Sequence, residues 1–236
     1  MDKITNWYLK LDKKNQDAPI IDKDFYNHGI LPNSRIAMIG GSGAGKTNAL
    51  MEFLKRKNGA FYEIIIFTSN PDEPLLKQLK EEIPDVKIIS DINAMPLPNE
   101  TEIPEAKYQK LCVWDDFITL TKKQMKNPEQ WAIAGRKFGW TTIFMAQNYT
   151  SIPKMILRQM EYFIIYRLND LTTIKNVIRN HNIENIDKQV FIDTYLFATR
   201  KKGNFFMVDL KNEDPKYRFR QNFINYIPLR ATSTQP

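Results

Sequence analysis

The chain is short of several things at once. Of its 236 residues one is cysteine and two are histidine. A lone thiol, Cys112, excludes an intrachain disulfide framework and a multi-thiolate zinc site. His28 and His181 lie too far apart in sequence to suggest a histidine-rich metal centre. This cysteine usage reads as that of an intracellular protein. Long apolar runs are also missing. The opening MDKITNWYLKLDKKNQD lacks the hydrophobic stretch of a secretory signal, and nothing approaches the ~20 apolar residues of a membrane span. Glycine is scarce, nine in all, yet four of them, Gly40, Gly41, Gly43 and Gly45, fall within six residues. That clustering needs a local cause.

What is present is ordinary in amount. Hydrophobic residues make up 42% and charged residues 26%, enough to build one compact core without cross-links. Lys and Arg number 34 against 27 Asp and Glu, a net charge of +7; this favours a polyanionic partner such as nucleic acid without identifying one.

Short apolar runs rich in β-branched and aromatic residues predict strands at Arg35–Ile39, Glu63–Thr68, Val86–Ser90, Lys110–Trp114, Thr141–Ala146, Tyr162–Leu168 and Asn204–Leu210. Most of them do not alternate, so they are expected to be covered on both faces, as in a parallel sheet between helix layers. Helical stretches near residues 46–57, 73–82, 124–134, 153–160 and 171–180 supply the alternation of an α/β domain. Residues 91–105, with Pro96, Pro98 and Pro104, read as an irregular surface connection. The expected organisation is an N-terminal arm (1–30), a single α/β domain (31–210) and a C-terminal tail (211–236), with the first ~30 residues and the last ~20, from Lys216 on, reading as flanking arms or sheet edges. Cys112 reads as a small buried hydrophobe, and the two histidines as structural.

The glycine cluster sits between the first strand and a helix, and Gly40–Thr47 reads GGSGAGKT. This satisfies G-x-x-x-x-G-K-[ST] at every fixed position and in the required strand–turn–helix context. Successive backbone N–H groups of such a loop point inward at a phosphate, and glycine permits both the positive φ angles and the close approach. The expected nucleotide-binding set is Gly40, Gly41, Ser42, Gly43, Ala44, Gly45, Lys46, Thr47 and Asn48. Lys46 would reach the β and γ phosphates and Thr47 would offer its hydroxyl to Mg²⁺. A bound triphosphate also needs a carboxylate at the end of a neighbouring buried strand. KLCVWDDF, residues 110–117, provides Asp115 for the metal and Asp116 to polarise the attacking water. Gln147 closes the strand TTIFMA and is either a γ-phosphate sensor, a water-positioning group or a plain loop amide.

Several branches of nucleotide-binding proteins lack support. No [NT]-K-x-D follows to select guanine, no LSGGQ-like signature suggests a transporter, and the chain is too short for an added helical domain of the AAA+ kind. A positive choice comes from AGRKFGWTTIFMAQNYTSIPKMILRQMEYFIIYRL, starting at Ala134. This segment resembles the FtsK/HerA superfamily of P-loop ATPases, in particular the poxvirus-type genome-packaging ATPases of large DNA viruses and virophages. The resemblance rests on Pro32, Asn33 and Arg35 before the first strand, the GGSGAGKT loop, the strand ending in two acids, Gly135-Arg136-Lys137, and Ala146-Gln147. It covers roughly residues 30–168.

The resemblance implies a three-layer, RecA/FtsK-like fold with a mostly parallel sheet, and a Mg²⁺-dependent ATPase that moves double-stranded DNA into a preformed viral capsid. Lys46, Asp116 and Gln147 would be catalytic, together with an arginine acting across a subunit boundary in a pentameric or hexameric ring. Arg136 is the first choice for that arginine, with Arg158 and Arg167 as alternates. Asp116 departs from the Glu common in cellular relatives. Capsid or portal-vertex proteins would be partners, and the host cytoplasm or viral factory the location. Lys122, Lys123 and Lys126, and Arg200, Lys201 and Lys202, are candidate contacts for DNA phosphates. The alternatives are a related pump for plasmid transfer or chromosome segregation, and a monomeric P-loop regulator or nucleotide kinase.

Overall fold

The computed structural model describes residues 22–101, 109–181, 183 and 186–228; most of the N-terminal arm and the last eight residues lie outside them. The described residues form one nine-stranded sheet in the order β3-β2-β4-β5-β1-β6-β7-β8-β9. The strands are β1 (Arg35–Ile39), β2 (Phe61–Phe67), β3 (Lys87–Ile89), β4 (Gln109–Asp115), β5 (Trp140–Ala146), β6 (Tyr162–Tyr166), β7 (Phe205–Asp209), β8 (Phe219–Gln221) and β9 (Asn225–Tyr226). Every pairing from β3 through β6 is parallel, and β7, β8 and β9 add on antiparallel.

Helices cover both faces, which is why the strands read as unbroken apolar runs. One side chain of each adjacent pair goes to each face. Ile36, Met38, Ile64, Ile66, Val113 and Ile164 pack beneath α2 (Lys46–Arg56) and α3 (Pro74–Glu82). Ala37, Ile39, Ile65, Trp114, Phe144 and Phe163 pack against α4 (Lys126–Ala134), α5 (Lys154–Leu157), α6 (Thr172–Asn180) and α7 (Lys188–Ala198). A one-turn helix, α1 (Phe25–His28), precedes β1. This is the expected three-layer, mostly parallel α/β architecture in a single domain.

Three features differ from the sequence reading. Helix α7 was missed because KQVFIDTYLFA is apolar nearly all round: Phe191, Ile192, Tyr195 and Ala198 form its buried face, but Val190, Leu196 and Phe197 lie outside that face and blur the amphipathic period in the sequence. Its start is nevertheless signalled by Asp187, whose carboxylate accepts from the N–H groups of Gln189 and Val190. The boundary drawn at residue 210 falls between β7 and β8, two paired strands of the same sheet. Of the proline-rich connection after β3, residues 102–105 with Pro104 lie outside the described residues; the described part forms two 3₁₀ turns, Ile92–Ala94 and Pro98–Glu100, and does not simply cross the surface. Ile92 and Met95 enter the core, and Trp131 Nε1 donates to the Pro96 carbonyl at 2.9 Å.

Cys112 is fully buried in mid-strand. His28 is buried with its Nδ1 accepting from Ile30 N–H at 3.0 Å, and His181 shares a hydrogen bond with the Tyr149 hydroxyl at 3.0 Å.

Candidate nucleotide site

The site forms at the carboxyl ends of the parallel strands, and the strand order sets its layout. β5 lies between β1 and β4, pairing Ile39 with Ala146 on one side and Asp115 with Met145 on the other. With strands ~4.8 Å apart, the ends of β1 and β4 are separated by about 10 Å, a span suited to a polyphosphate tail and a hydrated cation. Gln147, the exposed residue after β5, therefore stands between the glycine loop and the acid pair.

Gly40 N–H donates to the Ala146 carbonyl at 3.1 Å, anchoring the start of the loop to the Gln147 strand. Ala44 N–H closes a turn onto the Gly41 carbonyl at 3.1 Å. Gly43 (φ +68°) and Gly45 (φ +107°) adopt the left-handed backbone that the turn into α2 requires. Ser42 and Gly43 are exposed at the apex, Thr47 is half-buried in the first turn of α2, and Asn48 is exposed beside it. The Lys46 ammonium folds over the loop, donating to the carbonyls of Gly40 (2.7 Å) and Gly41 (3.3 Å). Burial pushes its pKa below the ordinary value, while Asp115, Asp116 and Glu73 pull it back up.

Asp115 ends β4, and its carboxyl is pushed up to about 6. Burial is the main cause and the neighbouring Asp116 adds to it; a hydrogen bond from Thr68 and the charge of Lys46 act in the opposite direction. Asp116 takes a left-handed backbone (φ +49°), turning the chain away from the strand, and its carbonyl accepts from the Thr119 hydroxyl at 3.1 Å.

Sequence reasoning missed three residues here. Thr68, fully buried at the end of β2, donates from Oγ1 to Asp115 Oδ2 at 3.1 Å and accepts from Asn70 N–H at 3.1 Å. Glu73, the half-buried N-cap of α3, adds a third acid to the field around Lys46. Tyr166, the last residue of β6, donates its hydroxyl to the Gly45 carbonyl at 2.8 Å. Thr68 and Tyr166 sit inside apolar runs, and only the strand order shows that they reach the site.

An open groove of about 670 Å³ leads away from the loop, lined in part by Gly45, Asn48, Met51, Tyr166, Gly203 and Asn222. It runs along α2 as far as Arg56, between α3 and β7, and Lys46, Thr47, Asp115, Asp116 and Gln147 do not line it, so it is a cleft beside the loop and separate from the strand-end site.

Of the three candidate arginines, Arg167 alone follows a strand at this end of the sheet. Arg136 lies in the 3₁₀ turn Gly135–Phe138 before β5, so it is at the opposite end of the sheet from the loop, roughly 20 Å away along seven strand residues. Its side chain is 58% exposed and 4.0 Å from Glu161, which also pairs with Arg35 at 3.2 Å and Lys211 at 3.6 Å. Arg158 is exposed at the end of α5. Arg167, next to Tyr166, is exposed at the loop end of the sheet. Both basic clusters share that end. Lys122, Lys123 and Lys126 follow β4, and Arg200, Lys201 and Lys202 precede β7, which starts opposite Tyr166; all six are exposed.

The chain matches no protein-family model and no curated protein sequence. Its fold does match solved structures. The DNA-packaging ATPase B204 of Sulfolobus turreted icosahedral virus superposes with a TM-score of 0.58 at 14% identity, over 81% of this chain and 97% of that one. B204 of Sulfolobus turreted icosahedral virus 2, in complex with ATP-γS, gives 0.56 at 13% identity, over 84% and 98%. The pCW3 conjugation coupling protein TcpA, with ATP-γS, gives 0.51 at 14% identity, over 82% of this chain and 61% of its own. The fold is that of the P-loop ATPases represented by these proteins, as the sequence motifs anticipated.

Proposed function

We propose that this chain is a Mg²⁺-dependent ATPase that assembles into a ring and drives double-stranded DNA, packaging a viral genome into a preformed capsid. The observation that carries the reading is the convergence of the phosphate loop, the Asp115–Asp116 pair and Gln147 on three adjacent strand ends. Three neighbours of the same fold, two described as DNA-packaging or genome-packaging enzymes and one as a conjugation coupling protein, support a DNA-pumping role.

The donors suit magnesium. Among the described residues no cluster of three His, Cys, Asp or Glu could cage a metal, and Mg²⁺ characteristically takes one or two protein oxygens and completes its shell with phosphate and water. Thr47 and Asp115 are such oxygens, and the charge repulsion between Asp115 and Asp116 marks a place where a cation is favourable. Bound there, Mg²⁺ would neutralise charge on the β and γ phosphates.

The chain's own groups have separable roles. The amides of residues 40–47 and the dipole of α2 hold the phosphates. On nucleotide binding Lys46 would exchange its loop carbonyls for phosphate oxygens. Asp116 would polarise the attacking water, and Gln147 would orient it or sense the γ phosphate. Arg136 cannot serve its own loop from the far end of the sheet, so it can act only on the site of another subunit; Arg158 and Arg167 are the alternates. An arginine supplied in this way is worth ~10³ to 10⁵ in rate, which makes turnover depend on assembly. The exposed lysines and arginines at the loop end would contact DNA phosphates without reading sequence. A host-cell cytoplasmic or viral-factory location and capsid or portal-vertex partners complete the proposal.

ATP turnover by mixed assemblies of Lys46→Ala and Arg136→Ala chains tests it. Activity in the mixture, absent from either variant alone and rising with protein concentration and long duplex DNA, supports the ring. Concentration-independent turnover with phosphate transfer to a small acceptor would instead favour a nucleotide kinase.

A further inference from the structure

One side chain touches both ends of the phosphate loop. A Cβ on Gly40, where the loop opens, would stand 2.9 Å from Tyr166 Cβ and 3.0 Å from its Cδ2; one on Gly45, where the loop closes, would stand 3.6 Å from Tyr166 Cε1. The Tyr166 hydroxyl then donates to the Gly45 carbonyl at 2.8 Å, across 121 residues of sequence. Tyr166 is itself held. The Tyr195 hydroxyl, fully buried on α7, donates to the Tyr166 carbonyl at 3.2 Å and accepts from Leu168 N–H at 2.8 Å, fixing the end of β6. Burial pushes the Tyr166 phenol above its ordinary pKa, so the hydroxyl remains a donor at working pH.

We infer that Tyr166 is a positioning residue for the nucleotide site: it braces the loop in the shape that accepts a polyphosphate, and Tyr195 secures Tyr166. The inference rests on the loop being the nucleotide site proposed above. Two considerations separate this role from simple core filling. A phenylalanine would fill the same space, so packing alone does not call for the hydroxyl. The Gly45 carbonyl already accepts the first helical hydrogen bond from Ala49 N–H at 2.9 Å, so the tyrosine bond is not needed to satisfy a buried acceptor. What the bond adds is order in a loop with four glycines in six residues, whose backbone entropy would otherwise be lost when the ligand arrives. Once the phosphates are bound, they hold the loop themselves. The brace should therefore act on affinity and leave the chemical step alone.

The test uses full-length protein, with Mg·ADP titrated calorimetrically and ATP turnover measured in parallel. Tyr166→Phe is expected to weaken ADP binding about two- to tenfold and to raise KM by the same factor. kcat and the nucleotide-free melting temperature should stay near wild type. Tyr195→Phe should weaken binding in the same direction but less, and the double variant should be no worse than Tyr166→Phe, because both act through one chain of contacts. Unchanged ADP affinity in Tyr166→Phe, or a fall in kcat at constant KM, overturns the inference. A nucleotide-free melting temperature that drops in step with affinity also overturns it, since the hydroxyl would then support the fold rather than the loop. Failure of the unaltered protein to bind ADP removes the nucleotide reading itself.

Discussion

Asp115 is a carboxylate in a position that disfavours its charge. Its pKa of about 6 against an ordinary 3.8 means that between about pH 4 and pH 6 the folded, metal-free protein holds a proton that the unfolded chain has released. Stability from this group is thus present at low pH and lost as pH rises through 6. Asp115→Asn should therefore stabilise the metal-free protein at pH 8, by up to about 3 kcal/mol, and give nothing below pH 4. The same substitution should abolish ATP turnover. Thermal melting at the two pH values, alongside the activity assay, reads both effects. At this scale the sequence was legible in placement: the GGSGAGKT turn and the two acids follow strands that flank β5, as their patterns suggest. Thr68 and Tyr166 were not legible, because a threonine or tyrosine ending an apolar run has the same appearance whether its hydroxyl points at a site or merely finds a partner.

At the scale of elements, α1 and the chain before it are tied to α2 by buried charge. Lys57, 1% exposed at the end of α2, donates to Asp22 and, at 2.7 Å, to Gln109 Oε1. Burial opposes the charge on Asp22, but hydrogen bonds from His28 and Lys57 and the Lys57 charge hold its pKa down at about 2. Its contribution has the opposite sign to that of Asp115: it is present above about pH 4 and lost as pH falls towards 2. Lys57→Met leaves the Asp22 carboxylate buried without its cation and should cost about 3 to 5 kcal/mol in urea unfolding at pH 7. Midpoints equal to wild type would mean that Asp22 escapes to solvent. Elements with a clear period or a continuous strand run were readable. Helix α7 was not, since Val190, Leu196 and Phe197 lie on its partly exposed side, so its apolar residues form no stripe. β8 and β9, three and two residues long, are too short for any pattern to emerge from the sequence.

The molecule as a whole has a chemical polarity. The loop, the acids and both basic clusters collect at one end of the sheet, while Arg136 and the Glu161 cluster occupy the other. No residue spacing shows this, because it arises from strand order and direction. The consequence is that any polyanion drawn to residues 122–126 or 200–202 lies at the same end of the sheet as the glycine loop and the acid pair. Replacing Arg200, Lys201 and Lys202 together by alanine should weaken duplex binding uniformly across sequences. It should also reduce the slope of log affinity against log salt by about 2 to 3. An unchanged slope would place the DNA contact elsewhere. Among the described residues no helix is long and apolar enough to cross a membrane.

The most direct measurement is calorimetric titration of ATP-γS with Mg²⁺ into the purified protein and into Lys46→Ala. One nucleotide is expected to bind per chain, with binding lost or weakened by about a hundredfold or more in the variant. Absence of binding to the unaltered chain, or equal affinity in the two proteins, would contradict this expectation.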